Sequence, residues 1–273
     1  MTEASSLGTV AIVGAGQVGT MLGLALRASG APREVIVFDQ DPEVASRSVA
    51  RGAAHRATAQ LDLDAEVVIL ALPVSAIVDV LLRHGKELRP GTLIIDTGSA
   101  KRAIVTAMSS LADDIHAMGG HPLAGTERRG PDGADPGALR GATFALCPVR
   151  DDPEALRRAR ELVAAMGARP LVLDAASHDR AVARTSALPH LLAFALARAT
   201  APLAAEIQAL AASGYRGATR LAHSDPGMVA AFLAANVAET RAAVSELRRS
   251  LDELVACLDD ESALEAKLRE ASS

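Results

Sequence analysis

His121 stands in the run Gly119-Gly120-His121-Pro122-Leu123-Ala124-Gly125-Thr126-Glu127, a single imidazole among glycines. In such a setting the backbone approaches a ligand closely and few side chains compete for space. Imidazole is the side chain whose ordinary pKa suits it to accept a proton at neutral pH. Arg220, far downstream, offers a planar fork that can hold a carboxylate with two hydrogen bonds. Ser99 has two readings, as the cap of the helix that follows it or as a group that orients the histidine or a nicotinamide. Ser186 and His190 are four residues apart in an Ala/Leu-rich segment, so they share a helix face and need a polar partner there. A neighbouring carbonyl is the simplest partner for His190. Together these residues point to hydride transfer assisted by a histidine, and they leave the substrate open. No cluster of acids and histidines has metal spacing, and Gly-x-Ser-x-Gly is absent. Neither a metal site nor a serine hydrolase is expected.

The elements that must position these groups begin with Thr9–Val13, a β-branched run that leads into Gly14-Ala15-Gly16-Gln17-Val18-Gly19 and then an apolar helical stretch. Strand, glycine turn and helix in this order form a dinucleotide-binding pattern. Gly14 permits the turn, Gly16 lets a pyrophosphate approach, and Gly19 lets helix and strand pack. The helix N-terminus, with Gln17 and Val18, turns unpaired N–H groups toward the phosphates. A second strand, Glu34–Phe38, ends at Asp39, whose carboxylate can bond both hydroxyls of an adenosine ribose and would repel a 2′-phosphate. Gln40 and Asp41 follow rather than Lys or Arg, so NAD is expected over NADP. The alternative is that Asp39 merely caps a turn.

Alternation of strand and helix continues. Glu66–Leu72 is a near-continuous apolar run, as expected of a parallel strand covered on both faces, and Leu72-Pro73 marks its carboxyl end, where ligands of open α/β sheets lie. Further strands are expected at 92–95, 116–120, 143–147 and 170–174, with helices over 46–51, 74–82, 102–111 and 154–166. The result is a Rossmann-type, doubly wound, mostly parallel sheet of seven or eight strands over residues 1–174. An all-helical domain, 175–273, follows, because the β-branched runs stop after Ser177 and Ala and Leu dominate. Its helices are expected at 179–199, kinked at Pro189, then 201–212, 215–222 and one long helix over 227–258 capped by Ser224-Asp225-Pro226. That long helix carries Leu233, Val237, Val244, Leu247, Leu251, Leu254 and Leu258 at three- and four-residue spacing, a stripe expected to pack against a second copy and make a homodimer.

Composition narrows the class. The 273 residues suffice for one large or two ordinary domains. A net charge of -5 and 2% aromatic residues argue against a nucleic-acid surface, which needs a basic field or stacking platforms. Apolar runs break well before membrane-spanning length, and Met1–Gly8 has no signal-peptide pattern. Cys147 and Cys257 lie in unrelated contexts, consistent with a reducing compartment, so a cytoplasmic protein is expected.

Four motifs carry a resemblance. Gly119–Glu127, Asp96-Thr97-Gly98-Ser99-Ala100-Lys101, Thr185-Ser186-Ala187-Leu188-Pro189-His190 and Thr219-Arg220-Leu221-Ala222-His223-Ser224-Asp225-Pro226 resemble, in order, the signatures of the prephenate/arogenate dehydrogenase family. The resemblance implies NAD-dependent oxidative decarboxylation of prephenate to 4-hydroxyphenylpyruvate, as in tyrosine biosynthesis. His121 would accept the ring hydroxyl proton, and Ser99 would bond to His121. Arg220 would bind a substrate carboxylate, with contacts from Ser186, His190 and Thr126, and Glu127 would gate the arginine. Departures fall at Ala187, where the family carries a histidine, at Arg128-Arg129 in place of Lys-Ser, and at Val229-Ala230 where a tryptophan is usual. No regulatory or chorismate-mutase segment is recognisable. Arogenate and 4-amino-4-deoxyprephenate are the alternative substrates. Competing classes are a hydroxyacid dehydrogenase or pyrroline-carboxylate reductase type, and a non-catalytic NAD-sensing module, which would have no use for His121 together with Arg220.

Overall fold

The computed structural model describes residues 7–124, 128 and 130–270. Strands form where branched apolar residues run unbroken: β1 Thr9–Val13, β2 Glu34–Phe38, β4 Val67–Leu70, β5 Leu93–Asp96 and β7 Thr143–Pro148, together with β6 His116–Pro122 and two short edge strands, β3 Arg56–Ala57 and β8 Arg169–Val172. The order across the sheet is β3-β2-β1-β4-β5-β6-β7-β8. Every pairing is parallel except β6 with β7, which is antiparallel. Successive side chains alternate between faces, so Val10 and Ile12 join one buried layer while Ala11 and Val13 join the other. Helices α1 Gln17–Ser29, α2 Pro42–Ala50, α3 Val74–His84, α4 Arg102–Met108 and α5 Pro153–Ala165 complete the alternation. α2 starts four residues earlier than its apolar pattern suggests. Asp41 accepts the Glu43 amide at 2.9 Å and Pro42 presets the first turn.

Chain order reverses between β1 and β4, the switch point at which open α/β sheets take ligands at their carboxyl edge. Within the chain two compact units are distinguished, Met1–Asp179 and Arg180–Ser273. The first turns of α6, Ala175–Val182, therefore belong with the sheet, a few residues beyond the expected boundary. No helix among the described residues is long and apolar enough to cross a membrane.

The second unit is helical: α7 Leu188–Thr200, α8 Ala204–Leu210, α9 Ser213–Thr219, α10 Pro226–Ala235, α11 Val237–Val255 and α12 Glu261–Glu270. Two expectations change here. The irregularity at Pro189 is a widened π-helical turn over Ala183–Ala187 rather than a simple kink, which absorbs the hydrogen bond proline cannot donate. The long helix expected over 227–258 is two helices, because Asn236 leaves helical geometry at φ −136°, ψ 44° and ends one helix as it begins the next. Asp225 does cap α10, accepting the Met228 amide at 2.7 Å.

Candidate active site

The glycine turn meets the geometry a dinucleotide needs. Gly14 has φ 101°, and a Cβ on Gly19 would lie 1.8 Å from the Gly14 carbonyl oxygen, so α1 approaches β1 as only glycine allows. Gly16 differs, because a Cβ there would meet nothing within 4 Å. Its bareness answers no packing demand inside the protein and leaves room for an outside group. Gly16 is also the N-cap of α1, which has no side-chain cap and no acid in its first turn, so the positive end of the helix stays open to an anion. At the end of β2 the Asp39 carboxylate accepts the Ala15 amide at 2.8 Å and the Asp41 amide at 3.0 Å. It therefore does cap a turn, and in doing so it pins the glycine loop. Leu72 packs beside Gly14, and Pro73 opens α3 at the neighbouring strand end. The Gln17 side chain reaches the Gly133 carbonyl at 3.5 Å, in the segment after β6. Arg47 and Arg51 of α2 and the turn beyond it also bond this segment, through Asp132 and the carbonyls of Pro131 and Ala134. These residues fit a dinucleotide.

His121 emerges at the carboxyl end of β6, the same edge of the sheet. Register explains how the site opens there. β5 and β6 pair by backbone as far as Ile95 with Met118, and beyond that point side chains take over. Asp96 Oδ1 accepts the Gly120 amide at 2.9 Å, and Oδ2 accepts the Gly98 amide at 2.7 Å and the Lys101 ammonium. Lys101 Nζ also donates to the Gly120 carbonyl at 2.6 Å. The N–H and the C=O of Gly120, the residue before His121, are thus both held by one fully buried ion pair. Gly120 must be glycine, because a Cβ would lie 2.3 Å from the Asp96 carbonyl oxygen.

A second buried group meets His121 from the other side. His121 Nδ1 lies 3.0 Å from His178 Nε2, the two rings crossing edge to face at 66°. His178 Nδ1 lies 2.8 Å from Asp179 Oδ1. Asp179 also accepts the amides of Lys101 at 2.7 Å and Arg102 at 3.0 Å, and so caps α4 from across the chain. Burial, the Lys101 cation and His178 push the His121 pKa down to about 3, against an upward pull from Asp179. The imidazole is neutral at physiological pH, which suits a proton acceptor. Burial works to raise the Asp179 pKa, but hydrogen bonds from His178 and the two amides hold it below the usual carboxylate range.

The expected partnership of Ser99 is corrected by this arrangement. His178, not Ser99, bonds the His121 ring, and Ser99 is not the N-cap of α4, whose first amides go to Asp179. Half-buried Ser99 sits just past the end of β5, the strand that neighbours β6. Thr126, Glu127 and Arg129 lie outside the described residues, and Arg128 is exposed. In the second unit His190 Nδ1 donates to the Ser186 carbonyl at 2.9 Å, and its ring meets Phe232 edge to face at 5.0 Å. The turn that begins at Arg220 packs against α7, so Ser186, His190 and Arg220 lie on touching elements. Ala187 is buried, leaving its position no room for the family's histidine without repacking. Reasoning from sequence missed Lys101, His178 and Asp179 as partners of His121. The signal was Lys101 at the end of Asp96–Lys101 and an adjacent His-Asp pair just after the last strand. No group of three or more His, Cys, Asp or Glu suited to a metal occurs among the described residues.

Two family models match the chain. Residues 22–172 match the description "Prephenate dehydrogenase, nucleotide-binding domain", and residues 174–270 match "Prephenate dehydrogenase, dimerization domain". A prephenate dehydrogenase of Lactococcus lactis subsp. cremoris is 29% identical over 256 residues, covering 90% of this chain and 70% of that protein. The crystal structure of prephenate dehydrogenase from A. aeolicus, in complex with hydroxyphenyl propionate and NAD+, is 26% identical with a TM-score of 0.89, covering 98% of this chain and 96% of the other. A Synechocystis arogenate dehydrogenase structure is 28% identical with a TM-score of 0.84, covering 97% of each chain.

Proposed function

The chain belongs to the prephenate dehydrogenase family, and from that premise we propose that it is an NAD-dependent oxidoreductase that oxidatively decarboxylates prephenate to 4-hydroxyphenylpyruvate. The observation that carries the reading is His121, a neutral imidazole locked at the carboxyl edge of the sheet that bears the dinucleotide turn. When bound, NAD supplies the acceptor for the hydride leaving ring C4, while the ring carboxylate departs as carbon dioxide and the ring becomes aromatic. His121 accepts the C4 hydroxyl proton as the carbonyl-like character of that carbon develops, and returns it to the same oxygen as the aromatic ring forms. Aromatisation drives loss of carbon dioxide, so the residues need to supply only orientation and a proton acceptor. Gly14, Gly16, Gly19 and the α1 N-terminus hold the pyrophosphate, with Gln17, Val18, Leu72 and Pro73 around the dinucleotide. Asp39 binds the ribose hydroxyls and discriminates against a 2′-phosphate. Arg220 holds a substrate carboxylate, with Ser186 and His190 beside it, while Ser99 lines the nicotinamide side and Thr126 and Glu127 contact or gate the substrate. The second unit associates with a second copy through α11 and the turn that follows it, where Leu251, Val255 and Leu258 lie exposed. Arogenate is the second substrate reading, favoured by the likeness to the Synechocystis enzyme over the full chain.

The test is NADH formation on prephenate, arogenate and 4-amino-4-deoxyprephenate in parallel. Prephenate is expected to turn over, and His121→Ala to lower kcat by about 10²–10⁴-fold while NAD still binds. Turnover on none of the three, or an unchanged His121→Ala enzyme, overturns the assignment.

A further inference from the structure

We propose that His178, held by Asp179, is the positioning residue that fixes His121 as its Nδ1–H tautomer and so presents Nε2 as the atom that takes the substrate proton. The inference rests on the reaction proposed above and names the atom that performs it.

The assignment follows from counting donors. Asp179 already accepts two backbone amides, from Lys101 and Arg102, and its carboxylate is ionised, so it can only accept. His178 Nδ1, 2.8 Å from Asp179 Oδ1, must therefore carry hydrogen. In its neutral form His178 then has a bare Nε2, which needs a donor. The ring atom facing it at 3.0 Å is His121 Nδ1, so that nitrogen carries the hydrogen. Nε2 of His121 is left with the lone pair, and no donor is spent on it by this chain of bonds. Both His178 and Asp179 are almost wholly buried, so water does not offer His178 an alternative partner. Lys101 ties the same assembly to the sheet. Its amide is held by Asp179, and its ammonium fixes the peptide preceding His121. When Nε2 accepts the hydroxyl proton, the new positive charge lies one ring away from the Asp179 carboxylate. The hydrogen bond from His121 Nδ1 to His178 strengthens as that charge forms, so the dyad acts on the transition state more than on the resting enzyme.

The test combines a spectroscopic readout with a split between variants. In the full-length wild-type protein at pH 7, with histidine nitrogens labelled and His121 assigned by its loss in His121→Asn, the ¹⁵N shifts are expected to show a protonated Nδ1 and a bare Nε2. The reverse pattern, or a protonated Nε2, overturns the inference even if prephenate turns over normally. His178→Gln keeps an oxygen able to accept from His121 Nδ1, so the tautomer is retained and kcat on prephenate stays within about tenfold. His178→Leu removes the acceptor, the shifts move toward a tautomer mixture, and kcat falls by about 10²-fold or more with the NAD dissociation constant unchanged. Equal kcat in the two variants, with both folded, removes the positioning role. Failure of every substrate in wild-type enzyme sinks the reaction but leaves the tautomer measurement standing.

Discussion

Lys101→Met takes the cation from a pair in which both side chains are fully buried. Methionine fills most of the volume, so the loss is electrostatic rather than a cavity. The Asp96 carboxylate keeps the amides of Gly98 and Gly120 but loses its counter-charge, and the Gly120 carbonyl loses its donor. Breaking one side of a buried ion pair costs about 3–5 kcal/mol, because the remaining charge stays buried and uncompensated. At about 1.4 kcal/mol per tenfold, the amides of β5 and β6 that exchange through opening of this region should exchange about 10²–10⁴-fold faster. The assay is native-state hydrogen exchange over peptides covering 93–122. Intrinsic fluorescence is unsuitable, since the chain has no Trp and its one Tyr, Tyr215, lies in the second unit. Asp96→Asn combined with Lys101→Met neutralises both partners. One amide then faces the wrong side of the asparagine, at about 1–3 kcal/mol, so the double variant should be less destabilised than Lys101→Met alone. Lys101 also helps hold the His121 pKa near 3. Without it the imidazole gains a proton more readily, and the acid limb of kcat/KM should move to higher pH. Additive effects of the two substitutions, or unchanged exchange in Lys101→Met, would refute the account of the pair as a clamp on His121.

Gly16→Ala and Gly19→Ala should separate cofactor space from packing. The first adds a methyl where nothing lies within 4 Å, so the melting temperature holds while NAD affinity measured by calorimetry falls; the second must displace α1 from the Gly14 carbonyl and should lower the melting temperature itself. Normal NAD binding by Gly16→Ala would remove the turn from the cofactor site. Leu251→Asp, on an exposed apolar row of α11, should shift sedimentation toward monomer, and an unchanged sedimentation coefficient would place the association elsewhere.

Local sequence determined the parallel strands, the glycine turn and the position of His121. Each depends on residues a few places apart: an unbroken apolar run means burial on both faces, and glycines at fixed offsets mean a close turn. The N-cap of α10 was legible for the same reason, since Asp225 and the amide it accepts are three residues apart. Tertiary structure alone decided what surrounds His121. His178 lies 57 residues away, and Asp179 caps a helix 77 and 78 residues upstream. Their convergence depends on β6 and β7 pairing antiparallel before the chain reaches β8 and α6, which no periodicity encodes. Lys101 reads locally as an ordinary helix-start cation and becomes a buried clamp only because β5 and β6 part beyond Met118. Hydrogen-bond complementarity between distant segments is a property of the assembled fold. The proposed proton acceptor, His121, was therefore readable from its own neighbourhood, while the groups that set its charge and orientation were not.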